Sequence, residues 1–303
     1  MKVVALAGGT GSAKLLRGLS KLQIDLTVVA NVGDNFWTYD VYVCPDVDTA
    51  TYTLAGIASP RGWGMSGDTF EAIGELSRLG METWFRLGDR DMAVCLRRTE
   101  MMRSGWSLTE ATLQIARSLG VRPVILPVTD DHLETRIQVP AGELHLQEFW
   151  VRERGSPKVV GVKYVGGRGA RPTPRVAAAL ASADRVVVCP ANPVTSIGPM
   201  LAVRGFRRLL AGSKARIVGL SPMQGPVPFS GPAGTLLRAM GSTPDSYGVA
   251  KLYSDFMDCI LISEDDSAQA EGIRALGMEC TTTGTRMKGP SDELRLARKV
   301  TES

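Results

Sequence analysis

Six short runs of aliphatic and β-branched residues punctuate the chain: Lys2–Ala7, Leu26–Asn31, Val121–Leu126, Arg185–Cys189, Ala215–Leu220 and Asp258–Ile262. Each is nearly continuous in hydrophobicity instead of alternating, which is the pattern of strands covered on both faces. The stretches between them carry helix punctuation. Ser107-Leu108-Thr109-Glu110 has the spacing of a capping box ahead of an amphipathic segment that runs to Leu119, and Gly120 falls where a helix would stop. Asp68-Thr69-Phe70-Glu71 repeats the device before Leu76. Strands alternating with helices in this way predict an α/β fold built on a doubly wound, mostly parallel, Rossmann-like sheet. The stretch Glu134–Val165 breaks the pattern: Thr135-Arg136-Ile137-Gln138-Val139 and Leu144-His145-Leu146-Gln147 alternate and contain few helix formers. They predict a small antiparallel insertion lobe at about residues 131–172, ending in the loop Gly166–Pro172. With no internal repeat and no long linker, residues 1–303 read as one domain.

Composition narrows the class. A chain of 303 residues with 44% hydrophobic content can bury a large core. Its 35 Lys+Arg and 31 Asp+Glu give a formal charge of only +4, spread without a basic run, which argues against nucleic acid as a partner. The five cysteines are scattered and lack CxxC spacing, so they read as small buried residues and not as a zinc site or a disulfide framework. The apolar run at Val3–Ala7 is too short for a signal h-region or a membrane span, and the protein is expected to be cytoplasmic, without a membrane partner. Two isolated histidines without HExxH spacing, and no GxSxG, argue against a zinc hydrolase or a serine hydrolase. Self-association, if any, is expected as a homodimer.

The candidate chemistry gathers at predicted strand ends. Gly8-Gly9-Thr10-Gly11-Ser12-Ala13-Lys14 lies between the first strand and the helical Leu15–Leu19. Glycines let backbone approach an anion, and a helix N-terminus offers N–H groups and a positive dipole end. A phosphate is therefore expected at Gly8, Gly9, Thr10, Gly11 and Lys14, although the segment is neither a Walker loop nor GxGxxG, and a ligand-free tight turn is the plain alternative. After the second strand, Asn31 and Asp34 either bind ligand or make Asx turns. In Pro45-Asp46-Val47-Asp48-Thr49, the pair Asp46 and Asp48 can hold a hard cation such as Mg²⁺ or orient a hydroxyl; helix capping is the alternative. The cluster Arg86-Leu87-Gly88-Asp89-Arg90-Asp91 offers an arginine fork or an ordinary salt-bridged turn. Asn192, Ser196 and Gly198 in Asn192–Pro199, with Ser221–Pro226 continuing to Ser230-Gly231-Pro232-Ala233-Gly234, are expected to face the same cleft. Phe36, Trp37 and Tyr39 either stack on a flat ring or belong to the core.

In that order the motifs resemble the 2-phospho-L-lactate transferases that assemble the deazaflavin coenzyme F-420. The likeness is carried by Gly8–Gly11 with Lys14-Leu15-Leu16, Pro45–Thr49, Gly67-Asp68-Thr69-Phe70, Leu87–Asp91, Asn192–Pro199 and Ser230–Gly234. The resemblance implies a Mg²⁺-dependent transfer from a guanylylated phospho-acid donor to the terminal ribityl hydroxyl of the deazaflavin precursor Fo, with GMP leaving. It implies that Asp48 and Arg86 contact Fo, and that Asp48 steers the hydroxyl. Phospholactate, phosphoenolpyruvate and phosphoglycerate versions are all compatible. The main alternative is a non-catalytic Rossmann-like regulatory protein that binds nucleotide-sugars; it would need the glycine turn but neither the paired aspartates nor the Leu87–Asp91 cluster. A nicotinamide oxidoreductase is disfavoured by the absence of GxGxxG.

Overall fold

The computed structural model describes residues 1–225, residues 227–228 without their side chains, and residues 232–303. Seven strands form the central sheet: β1 (Lys2–Ala7), β2 (Asp25–Ala30), β3 (Val124–Pro127), β4 (Arg185–Val188), β5 (Arg216–Leu220), β6 (Cys259–Ser263) and β7 (Glu279–Thr283). Their spatial order is β3-β2-β1-β4-β5-β6-β7. Every neighbouring pair is parallel. The six apolar runs became strands because helices cover both faces and continuous hydrophobicity is then no liability. The seventh strand was not predicted: Glu279-Cys280-Thr281-Thr282-Thr283 lies at the sheet edge and carries mostly polar residues.

Helix α1 (Gly9–Leu19) buries Leu15, Leu16 and Leu19. Each such burial stabilises the fold by about 1.5–3 kcal/mol. Gly18 lets the helix Pro290–Glu302 approach, since a Cβ there would collide with the Glu293 carbonyl. The strand order changes direction at β1, which opens a crevice beyond the carboxyl ends of β1 and β4. The two loops entering it touch: a Cβ on Gly11 would collide with the Pro190 carbonyl oxygen.

Two excursions roof this crevice. The one between β3 and β4 contains the expected antiparallel strands, with Glu134–Val139 flanked by Gly142–His145 and Gly161–Val165. The excursion between β2 and β3 is larger. It begins with a hairpin of Phe36–Thr38 and Val41–Val43, whose turn residues Tyr39 and Asp40 both have positive φ, 51° and 58°. Helices α2 (Pro45–Leu54), α3 (Glu71–Arg78), α4 (Asp89–Arg103) and α5 (Leu108–Ser118) follow. The capping box at Ser107 and Glu110 is formed as expected.

Asp68 behaves differently from its expected role. It does not cap the helix that follows it; its carboxylate accepts from the N–H groups of Arg90 (2.9 Å) and Asp91 (3.1 Å), at the start of α4. Asp89 in turn accepts from Glu71 (3.1 Å) and Ala72 (2.9 Å), at the start of α3. Each segment thus caps the other's helix. Gly88 is required for this exchange, because a Cβ would collide with the Asp68 carboxylate. All five cysteines are free and buried. Among the described residues, no helix is long and apolar enough to cross a membrane.

Candidate functional site

A cavity of about 590 Å³ occupies the crevice. Its floor is the turn after β1. Gly9 has φ +62°, a conformation that favours glycine, and Gly8 cannot carry a Cβ because one would sit 2.6 Å from both Asp46 Oδ2 and Ser196 Cβ. First-turn N–H groups of a helix have no intrahelical acceptor, and α1 has no acidic residue in its own first turn; Asp46 takes the Gly9 N–H and leaves those of Thr10 and Gly11. Gly9, Thr10 and Gly11 line the cavity and leave this end suited to an anion.

Asp46 braces that floor. It accepts from the Gly9 N–H and, at 2.8 Å, from Asn31 Nδ2. Asn31 is fully buried; it also donates to the Thr195 carbonyl (3.2 Å), while its Oδ1 accepts from the Gly33 N–H (2.8 Å). The Asx turn and the site role are therefore combined in one residue, which holds Asp46 without lining the cavity. Burial pushes the Asp46 carboxyl up to about 6, against hydrogen bonds from Asn31, Gly9 and Ser196 that lower it. Asp34 is buried beside it, accepts from Gln147 Nε2 (3.2 Å), and is raised well above the usual carboxylate range by burial and by Asp46 and Asp48.

Asp48 turns to the opposite wall. Arg98 of α4 clamps both its oxygens, Nη1 to Oδ2 at 3.0 Å and Nη2 to Oδ1, and Nη1 also donates to the Tyr42 carbonyl at 3.2 Å. Arg98 is only 1% exposed. Both aspartates lie in the first turn of α2, where the helix dipole favours acid, but neither caps it with a side-chain bond, the N-cap being Cys44. Asp91, Cys95 and Arg98 lie at i, i+4 and i+7 on α4 and share one face. Asp91 accepts from the Tyr52 hydroxyl at 2.6 Å, and burial together with Asp48 pushes its carboxyl up to about 7.

The remaining expected residues divide. Arg86, Asn192 and Ser196 line the cavity. Arg86 is exposed, with its guanidinium 4.7 Å from the Phe70 ring centroid. Asn192 caps its own turn, Oδ1 accepting from Val194 N–H (2.9 Å) and Thr195 N–H (3.2 Å). Gly8, Asn31, Lys14 and Gly198 are not on the lining. Lys14 is exposed and its ammonium donates to the Met287 carbonyl (2.7 Å). Gly198 serves packing, since a Cβ would collide with the Tyr164 hydroxyl. Ser230 and Gly231 lie outside the described residues, as does Pro226; Pro232 reaches the lining.

The sequence profile of "2-phospho-L-lactate transferase CofD" matches residues 3–281. The chain belongs to the 2-phospho-L-lactate transferase family. It is therefore an enzyme, and the non-catalytic alternative falls. It is 40% identical to the 2-phospho-L-lactate transferase of Methanopyrus kandleri, over 99% of this chain and 96% of that one. It is 39% identical to the phosphoenolpyruvate transferase of Streptomyces griseus, over 100% and 98%. A crystal structure of a upf0052 family protein from Bacillus halodurans superposes with a TM-score of 0.67 over 99% of this chain and 98% of that one; at 15% identity the likeness is one of fold alone.

For a transferase of this family two features of the cavity went unread in the sequence. The first is the Arg98 clamp. A single arginine in a charged helix usually faces solvent, and the available signal was its i+7 spacing from Asp91 across Cys95. The second is the aromatic wall, which is made of Trp63, Trp84, Phe85 and Trp150. Phe36 stands behind that wall, stacked on Trp84 at 5.9 Å and edge-on to Phe85 at 4.8 Å. Trp37 is half exposed and packs against Tyr42, and the Tyr39 hydroxyl donates to the Phe85 carbonyl.

The same transferase cavity has the composition a cation needs. Asp34, Asp46, Asp48 and Asp91 all line it, with buried Arg98 as their counter-charge. Burial is the main cause that raises all four carboxyls; neighbouring carboxylates add to it at Asp34 and Asp91, while the Arg98 charge lowers Asp48. Among the described residues, the group of three potential ligands with atoms within 4.8 Å of one another is Asp48, Asp91 and Cys95, and Asp46 is not part of it. Burial raises the Cys95 thiol and keeps it protonated, so a hard cation would use the two carboxylates.

Proposed function

We propose that this enzyme moves a phospho-three-carbon-acid group from a guanosine diphospho-type donor to the terminal ribityl hydroxyl of the deazaflavin precursor Fo, releasing GMP, with Mg²⁺ as cofactor. The observation that supports it is the joining, in one cavity, of a helix N-terminal glycine turn, an arginine-clamped carboxylate and an aromatic wall. In the reaction the ribityl oxygen forms a bond to phosphorus, the bond from that phosphorus to the GMP oxygen breaks, and the hydroxyl proton leaves. Transfer of this kind depends on positioning and charge neutralisation, which fits a sequence that carries no GxSxG nucleophile motif.

Each wall has its part. The N–H groups of the turn at Thr10 and Gly11 hold a donor phosphate. Asp48, fixed by Arg98, orients the hydroxyl and takes its proton late, as an alcohol far less acidic than water-exposed carboxyls requires. Trp63, Trp84 and Trp150 offer flat faces to a tricyclic ring, and Arg86 stands at the rim beside Phe70. Asp48 and Asp91 would hold Mg²⁺, which when bound offsets the charge that develops on the transferred phosphate.

Relatives named for phospholactate and for phosphoenolpyruvate stand at 40% and 39% identity, so overall similarity does not choose the acid. Turnover with guanylylated phospholactate, phosphoenolpyruvate and phosphoglycerate donors, each mixed with Fo and Mg²⁺ and followed by GMP release, decides it. Asp48→Asn is expected to lower kcat by about 10²–10⁴-fold while donor binding stays intact. Parental turnover in that variant would remove Asp48 from the mechanism, and no GMP with any donor would sink the reading itself.

A further inference from the structure

The cavity's ionisable lining is unbalanced for an anionic donor. Of the four aspartates on it, Asp48 is paired with Arg98 behind the wall, and the other three face Arg61 and Arg86. A nucleoside diphosphate ester would meet net repulsion unless a cation lies close to the glycine turn. Arg86 stands over the Phe70 ring. Arg61 has no acidic partner among the described residues.

Arg61 is carried by a strap whose form is set by its own backbone. Ala58 and Met65 pair as an antiparallel bridge. Ser59 N–H donates to the Gly64 carbonyl (3.0 Å), and Gly62 N–H to the Ser59 carbonyl (3.0 Å). Gly62 and Gly64 have φ of +89° and +66°, values that side-chain-bearing residues rarely adopt. The tip lies on the glycine turn: a Cβ at Gly62 would stand 2.9 Å from Thr10 Cγ2. The strap therefore brings Arg61, next to the Gly62 that abuts the Thr10 side chain, onto the cavity lining, with Trp63, 45% exposed, on the same lining.

We infer that Arg61 is a donor-binding residue, its guanidinium gripping the diphosphate oxygens from the side opposite the Thr10–Gly11 backbone. The inference rests on the function proposed above. A guanidinium fork matches phosphate geometry, and its charge offsets the aspartates that surround the transferred group. Gly62 is a positioning residue, because a side chain there would lift the strap off Thr10.

Equilibrium binding of GDP and, separately, of Fo to the parent protein and to Arg61→Gln, Arg61→Lys and Gly62→Ala tests this. Arg61→Gln is expected to weaken GDP about tenfold or more and to leave Fo affinity unchanged, with Arg61→Lys between the two. Gly62→Ala should weaken GDP in the same direction; since both changes are on an exposed strap, unchanged melting temperatures would exclude misfolding as the cause. Parental GDP affinity in Arg61→Gln overturns the inference alone, and loss of Fo instead of GDP moves Arg61 to the acceptor side and overturns it equally. If the parent itself fails to bind GDP, the proposed function fails and this inference with it.

Discussion

Asp46 and Asp48 are two residues apart in one helix turn and yet belong to different halves of the cavity. Asp46 is held by neutral groups of the sheet edge, the Gly9 amide and the Asn31 side chain, whose positions follow directly from β1 and β2. Asp48 is held by a charged group from the helical excursion, Arg98, fifty residues on in the chain. The floor is thus built from backbone and amide donors that a strand end supplies by geometry. The roof is built from an ion pair that exists only after α2 and α4 have docked. A site can bind phosphate with the first kind of support, but it fixes a carboxylate against an alcohol with the second.

Breaking the roof should therefore cost more than any other single change. Arg98→Met leaves the buried Asp48 carboxylate without a partner, and is expected to destabilise by about 3–5 kcal/mol, read as a lower urea midpoint. Adding Asp48→Asn to Arg98→Met removes the orphaned charge and should return much of that stability without returning turnover. If the double variant were no more stable than Arg98→Met, the clamp would not be the element that joins α2 to α4.

The carboxylates also make a pH test that separates charge from packing. Asp46 at about 6 and Asp91 at about 7 titrate well above their ordinary range because burial disfavours their charged forms. The folded protein therefore binds more protons than the unfolded chain between about pH 4 and 7, and its stability falls as pH rises through that window. Without Mg²⁺, the melting temperature should be several degrees lower at pH 8 than at pH 5, by about 2–4 °C for each kcal/mol involved. Mg²⁺ should narrow the difference, most at the higher pH. A melting temperature that rises from pH 5 to pH 8 in metal-free protein would contradict the burial of these carboxyls.

The same division explains what could be read in the sequence. The floor was legible: six apolar runs, the glycine turn and the polar residues at strand ends each announce themselves locally, because a strand end and a helix start are local events. The edge strand Glu279–Thr283 escaped, since one exposed side removes the hydrophobic continuity that marks its neighbours. The roof was legible only as motifs without partners. Asp68 looked like the cap of its own helix because capping spacing is local, whereas its acceptor role lies more than twenty residues on. Trp63, Trp84 and Trp150 come from separate segments that only the docked excursions bring to one wall, and no periodicity connects them.

The smallest effect expected concerns that docking. Asp68 and Asp89 cap each other's helices, so the two motifs at Gly67–Phe70 and Leu87–Asp91 act as a latch between α3 and α4. Asp68→Ala should cost about 1 kcal/mol, the usual loss of an N-cap. Asp89→Ala should destabilise in the same direction, since it frees the Glu71 and Ala72 amides. If the caps form one latch, breaking either loosens the segment that makes the other, and the double variant should lose less than the sum of the two single losses in urea unfolding. Strict additivity would mean that α3 and α4 are capped independently and that the exchange of carboxylates is only a coincidence of neighbouring turns. Sub-additive loss, together with a modest fall in kcat, would instead show that the latch holds α4 in place, and with it Asp91 and the arginine that clamps Asp48.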